Sequence, residues 1–391
     1  MQGYFRKRAN KWSYTIDVGL DPVTGKRKQK TKGGFTTKKE AQLAAAIITK
    51  ELEEGTYVKE KTITFKDFAV EWLSLYEATG KVKVSTVRVR KHEIEALMPH
   101  FAKLQMKKIT RKTYQDALCS LKEKYAHNTL KGINRTGKMI FEKAVELGVI
   151  KTDPTKYTQL PVKQETVEEI ENQEDIPKFL EKDELALFLR TAEAEGLEMD
   201  YVIFLVLAYT GLRSGELLAL KWTDINFETG AISITKTYYN PNNNVPEYQL
   251  LTPKTKASRR VIDVAPVVLT ELEKHRAKQN LIKMEFRNTY YDKGFIFAKT
   301  KKHLGYPELI KTVERRMARL LKLAKLNAEL TPHSFRHTHT SLLAEAGVDL
   351  TQIMERLGHT DDATTKNIYL HITKTMKKEA SQKFLQLMEG L

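Results

Sequence analysis

The spacing of apolar positions changes along the chain, and the changes divide it into segments. Near the start, Tyr4-Phe5-Arg6-Lys7, Trp12-Ser13-Tyr14-Thr15-Ile16-Asp17-Val18 and Arg27-Lys28-Gln29-Lys30-Thr31 predict three short strands. Asp21-Pro22-Val23-Thr24-Gly25 supplies the turn between the last two. From Lys38 to Glu54 the period becomes helical, with Ala41, Ala44, Ala45, Ile48 and Leu52 on one face. Between about Thr62 and Tyr157 four helices are expected. The first opens at Phe65 and carries Phe68, Trp72 and Leu75. The second runs from Val87 to Phe101 behind an N-cap at Ser85-Thr86. The third follows Ile109-Thr110 through Tyr125, and the fourth, capped by Asn128-Thr129, ends near Gly148. Asp153-Pro154 marks the exit from this bundle.

The last part of the chain mixes both periods. A helix begins at Leu180-Glu181-Lys182-Asp183-Glu184-Leu185, and Asp200 to Tyr209 is apolar on all sides, as a buried helix is. Thr210-Gly211 breaks it, which puts Arg213 at the start of the next helix. Ala231-Ile232-Ser233-Ile234 and Arg260-Val261-Ile262-Asp263-Val264 alternate as strands. Thr331-Pro332 announces a further helix, Ala346-Gly347-Val348-Asp349 a stop and a restart, and Thr373 to Leu391 a short amphipathic helix.

Charge sharpens the division. The 391 residues carry 66 Lys and Arg against 49 Asp and Glu, a net +17, which predicts a polyanionic partner, with nucleic acid the usual one. Residues 1–39 hold eleven Lys/Arg and two Asp, and aromatics interleaved with bases on a small sheet suit a DNA groove, with Arg6, Lys28 and Lys30 as candidate contacts. In the helical segment, Arg88, Arg90 and Lys91, then Lys131, Arg135 and Lys138, form two basic stretches of the same kind. From Pro161 to Lys178 the balance reverses to six acids and two lysines, an exposed linker. The expected domains are therefore residues 1–60, 61–160 and 179–391, joined by a linker at 161–178. The one cysteine, Cys119, excludes an intramolecular disulfide and fits a cytoplasmic protein. The start lacks the apolar run of a signal peptide, and no apolar stretch is long enough for a bilayer.

Candidate chemistry gathers in the last segment. Arg213 stands in Thr210-Gly211-Leu212-Arg213-Ser214-Gly215-Glu216-Leu217, and His333 and Arg336 in Thr331-Pro332-His333-Ser334-Phe335-Arg336-His337-Thr338. His359 follows in Leu357-Gly358-His359, and Tyr369 in Asn367-Ile368-Tyr369-Leu370-His371. Two guanidiniums, two imidazoles and a phenol suit attack on a phosphodiester without a metal. A phenol of pKa about 10 is phenolate in only about one part in a thousand at neutral pH. Neighbouring arginines favour the anion and stabilise charge building on the phosphoryl oxygens, and His333, three residues from Arg336, is placed to accept the proton. His337 makes an i, i+4 pair with His333 that invites zinc. Arg336 between them repels a cation, and no glutamate fills the general-base position of a His-Glu-x-x-His site. His337 and His339 are read as core or supporting residues, and no metal or cofactor is expected.

The order and contexts of these residues resemble the tyrosine recombinase (phage integrase) family, over roughly the last 210 residues and more weakly upstream. The resemblance implies a mainly α, multi-domain fold with small β-sheets. It comprises an N-terminal three-stranded sheet plus helix that binds arm-type sites, a helical SAM-like core-binding domain, and a mixed α+β catalytic domain. It implies that Tyr369 is the nucleophile forming a 3′-phosphotyrosyl intermediate and that His359 hydrogen-bonds the scissile phosphate. It also implies that a hairpin lysine protonates the departing 5′-oxygen. Lys254 matches that position best and Lys256 competes, while Lys256, Arg259 and Arg260 also suit simple DNA tracking. Further implications are a tetramer on DNA, a C-terminal helix docking on a neighbouring protomer, and an excisionase and a host DNA-bending protein as partners. A type IB topoisomerase and a non-catalytic DNA binder on the same fold remain the alternatives at this point.

Overall fold

A computed structural model describes residues 3–20, 25–54, 63–162, 179–253, 257–358, 363, 365–370 and 388. The chain forms two compact units, residues 1–173 and 174–391.

The first unit begins with an antiparallel sheet in the order β1 (Tyr4–Arg8), β2 (Lys11–Leu20), β3 (Arg27–Phe35). Alternation along β2 sends Tyr14 and Ile16 to one face, where they bury against Ala41 and Ala45 of α1 (Lys38–Glu53). Thr37 caps α1 in a capping box with Glu40. Register then sorts the basic residues. Lys30 pairs with Ile16, so Lys30 and Lys28 lie on the helix-bearing face and are half-buried, whereas Arg6 pairs with Ser13 on the open face.

Four helices follow: α2 (Phe65–Ala78), α3 (Val84–Phe101), α4 (Arg111–Lys122) and α5 (His127–Glu146). Thr64 and Thr110 cap α2 and α4. Two starts differ from expectation. The ladder of α3 begins at the Lys83 carbonyl, which accepts from Thr86 and Val87, and that of α5 at the Ala126 carbonyl, which accepts from Leu130. The hydroxyls at Ser85-Thr86 and the Asn128-Thr129 pair therefore fall inside the first turns, not before them. Arg90 is also not the free surface cation its charge suggested. It stands four and seven residues before the buried Ile94 and Leu97, so the helix turns it inward, where Nη1 meets Glu93 at 2.5 Å and Thr136 at 2.8 Å. Arg88, Lys91, Lys131 and Arg135 are exposed and Lys138 is half-buried.

The second unit is built around α7 (Asp200–Thr210), nearly all of whose residues are buried. Phe188 of α6 (Lys182–Glu195), Phe204 of α7 and Phe335 of α11 (Ser334–Glu345) meet ring to ring at 5.2–5.6 Å and join three helices. A sheet in the order β4 (Ile225–Asn226), β5 (Ala231–Ile234), β8 (Arg260–Asp263) lies beside this core, and a small ladder of β6 (Thr237–Tyr239) and β7 (Gln249–Leu251) is inserted between β5 and β8. Among the described residues this unit also contains α8 (Ser214–Ala219), α9 (Pro266–Glu285), α10 (Ile310–Leu323), α12 (Leu350–Leu357) and a helical stretch at 365–370. The Asp21–Thr24 part of the first turn, the linker from 163 to 178 and nearly all of the C-terminal amphipathic segment lie outside the described residues. Among the described residues, no helix is long and apolar enough to cross a membrane.

The helical bundle has a tight point at Gly137, where an added Cβ would lie 2.0 Å from the Tyr114 hydroxyl. Tyr114 is fully buried, stacked on Phe101 and bonded to Asn134, so it has little room to yield. Gly137→Ala is expected to lower stability by about 1–3 kcal/mol, overpacking outweighing the gain in helix propensity. Urea denaturation of the two proteins measures the difference.

Candidate active site

Helix α7 stops because Gly211 adopts a left-handed backbone, φ +62°, and its amide closes the helix on Leu207. A Cβ at this residue would stand 2.8 Å from His339 and 2.9 Å from Leu357, so the position requires glycine for both space and conformation. The chain then delivers Arg213 as the N-cap residue of α8.

Glu216, three residues on, is buried to 4 % exposure and accepts from the Arg213 backbone and from Arg213 Nη1 at 2.9 Å. It also accepts from Arg260 Nη2 at 3.0 Å. Burial alone would raise the Glu216 pKa. The Arg260 and Arg213 guanidiniums outweigh it, and the carboxyl is held below its usual range. Arg260 reaches Glu216 because β8 pairs it with Ile234, on the inward face of the sheet, while Val261 points out. It is therefore a structural ion-pair partner and not a DNA-tracking cation; Arg259 is exposed.

Arg336 is 2 % exposed. Its Nη1 donates to Gly211 O at 2.9 Å and its Nη2 to Leu357 O at 2.6 Å, so one guanidinium joins the turn that presents Arg213 to the end of α12. Arg260 Nε donates to the neighbouring Arg356 O at 2.7 Å, and Ser258 Oγ to Gly358 O at 3.4 Å. The last carbonyls of α12, which have no partners within the helix, are thus taken by side chains from α11 and from the approach to β8. Tyr369, in the helical stretch 365–370, packs half-buried against the cluster of Ala344, Ile353 and Leu357, beside Leu343 and Val348. Leu357 therefore belongs both to the packing under Tyr369 and to the bond with Arg336.

His333 is exposed and is the N-cap residue of α11; its backbone is helical and its carbonyl accepts from the amide of the buried Arg336. The His333 and His337 rings are 4.9 Å apart and edge-to-face. Among the described residues no third ligand joins them in a metal-binding group. His339 is buried, as a supporting residue is, and its Nδ1 donates to Ala208 O at 2.9 Å. Lys254, Lys256 and His359 lie outside the described residues.

The structure therefore gathers Arg213, Arg336 and the packing around Tyr369 at the ends of α7, α11 and α12. It adds Glu216 and Arg356, for which the sequence suggests no role, and gives Arg260 and His339 definite partners. Strand alternation could have found the inward turn of Arg260, which is in phase with Ile262.

Comparison with known proteins identifies the family. Residues 178–376 match the phage integrase family, residues 3–52 an arm DNA-binding domain, and residues 64–135 the N-terminal SAM-like domain of phage integrases. The chain belongs to the phage integrase family. It is a tyrosine-type site-specific recombinase. The integrase of Staphylococcus phage L54a is 29% identical over 355 residues, covering 87% of this chain and 98% of its own. Among solved structures, the Tn1549 transposon integrase in complex with transposon right end DNA superimposes with a TM-score of 0.63 at 20% identity, over 82% of this chain and 100% of the other. A lambda integrase tetramer bound to a Holliday junction gives 0.54 at 18% identity, over 94% of each chain.

The buried His339 predicts an acid-labile fold. Burial, then the Arg356 and Arg336 charges, push its pKa down to about 4 in the folded protein, against 6.5 when exposed. The unfolded chain takes up a proton below pH 6.5 that the folded chain refuses until about pH 4. Stability should therefore fall as pH drops through that window, by about 3 kcal/mol at its lower end and not at all above it. Glu216, with its lowered pKa, adds a loss of the same sign at lower pH. Denaturant titrations from pH 7 to pH 4, following the second unit in wild type and His339→Gln, test this; the variant should show the shallower pH slope.

Proposed function

We propose that this recombinase integrates and excises a mobile element by metal-free transesterification, with Tyr369 as nucleophile. Arg213 and Arg336 bind the scissile phosphate and oppose the charge that builds on its oxygens. His333 accepts the phenolic proton as Tyr369 Oη bonds to phosphorus. The P–O5′ bond breaks, and Lys254 protonates the departing 5′-oxygen, an assignment for which Lys256 is the competitor. His359 hydrogen-bonds the phosphate. The product is a 3′-phosphotyrosyl adduct that keeps the phosphodiester's energy, so a 5′-hydroxyl from a second DNA rejoins the strand without ATP.

The observation that carries this reading is the bonding of Arg336. Its guanidinium links the carbonyl two residues before Arg213 to that of Leu357, against whose cluster Tyr369 packs. Three separated stretches of sequence, those carrying Arg213, Arg336 and Tyr369, are linked through this bonding and packing. The exposed His333 at the start of α11 is open to a substrate.

Residues 1–60 serve as the arm-type DNA-binding domain, with Arg6 on its open face, and residues 61–160 as the core-binding domain. The exposed Arg88, Lys91, Lys131 and Arg135 contact phosphates there, with Lys138 beside them. Residues 161–178 are the linker, and 179–391 the catalytic domain, whose Arg259 adds a further phosphate contact. The chain acts on double-stranded DNA in the cytoplasm, at core and arm sites. It works as a tetramer, the assembly in which lambda integrase holds a Holliday junction. An excisionase and a host DNA-bending protein set the direction. Strand exchange is preferred to the swivel relaxation of a topoisomerase because the separate, strongly basic N-terminal sheet suits a second DNA site.

Tyr369→Phe is expected to bind a nicked suicide substrate with wild-type affinity and to form no covalent adduct. Adduct formation by this variant, read on denaturing gels, would move the nucleophile elsewhere.

A further inference from the structure

Arg356 takes no part in the chemistry above, yet its bonds tie α12 to α7, β8 and α11. Its Nε donates to His339 Nε2 at 3.0 Å. Its Nη2 donates to Tyr209 O at 3.2 Å and to Asp263 O at 3.0 Å, and its own carbonyl accepts from Arg260. One residue of α12 is therefore tied to α7 four residues before Arg213, to β8, and to His339 on α11 three residues after Arg336. Leu357, the next residue, receives Arg336.

The imidazole sets the direction of this strap. Ala208 O takes the proton on His339 Nδ1, which leaves Nε2 an unprotonated acceptor for a guanidinium. A protonated ring would repel Arg356 and offer it nothing. Arg356 in turn meets its acceptors with a planar fork, which an ammonium of similar charge cannot reproduce.

We propose that Arg356, keyed by neutral His339, is a positioning residue for strand cleavage. It fixes the distance between the Arg213 turn, the Arg260–Glu216 pair and the end of α12, and it touches neither DNA nor the reacting atoms. The proposal rests on the assignment of Arg213, Arg336 and Tyr369 to the site. Its effect is on rate, because a misplacement of about 1 Å between reacting groups costs roughly 100-fold.

The test is single-turnover adduct formation at saturating suicide substrate by the full chain, with DNA affinity and folded fraction measured on the same samples. Arg356→Ala is expected to cleave roughly 100-fold more slowly per folded molecule, with affinity changed by less than about threefold. Arg356→Lys, which keeps the charge and is the safer fold, should remain about tenfold slow. His339→Gln retains a donor and an acceptor and should keep more of the rate than His339→Phe. The pair acts as one device, so Arg356→Ala with His339→Phe should cost little more than Arg356→Ala alone. A wild-type rate in Arg356→Lys, a loss that merely follows unfolded fraction, or full additivity in the double variant each overturns the proposal. Wild type and Tyr369→Phe run in parallel. Adduct from both, or from neither, sinks the underlying assignment instead; adduct from wild type alone upholds that assignment, and the Arg356 series then decides the proposal.

Discussion

The site depends on how the end of one short helix is terminated. The α12 helix spans eight residues, and the carbonyls of Arg356, Leu357 and Gly358 at its end receive donors from Arg260, Arg336 and Ser258. A helix C-terminus carries partial negative charge, and two guanidiniums there are favourably placed. Because these donors come from β8, α11 and the segment before β8, ending α12 also aligns those elements. Gly358, left-handed at φ +72°, closes the helix, its amide donating to Glu355 O.

A second constraint is the distribution of charge. Glu216 is shared by Arg213 and Arg260, so one carboxylate faces two guanidiniums. Buried ion pairs add little net stability, because desolvation offsets most of their attraction. The value of this pair lies in geometry: Glu216 holds both the Arg213 backbone amide and its Nη1. Arg213 retains 38 % side-chain exposure, while Arg260 at 6 % is the interior brace.

Much of this was legible in the sequence where the local signal was strong. The all-apolar run from Asp200, the Gly211 break and the strands at 231–234 and near 260 follow directly from periodicity and the placement of glycine. Starts of helices were less legible at α3 and α5, since hydroxyls near a helix start mark a cap only when the backbone ladder begins beside them. Charge misled at Arg90 and Arg260. Both are in phase with buried positions, and a guanidinium can go inside when a carboxylate waits there. Glu93 does so one helical turn from Arg90, and Glu216 reaches Arg260 across 44 residues of sequence. The His339–Arg356 contact joins residues 17 apart through two helices, and no local pattern reports it.

Arg260, Arg336 and Arg356 all meet partners within the fold. Arg260 and Arg356 meet carbonyls, a buried carboxylate or a neutral imidazole, partners that belong to the fold and are present before any DNA arrives. Their bonds join α12 to α7, β8 and α11. On the proposed mechanism, a phosphodiester meets guanidiniums already oriented, and little rearrangement remains when charge moves onto its oxygens. Such preorganisation means, on that mechanism, that groups held by the backbone, rather than groups the substrate must gather, oppose the charge of the transition state.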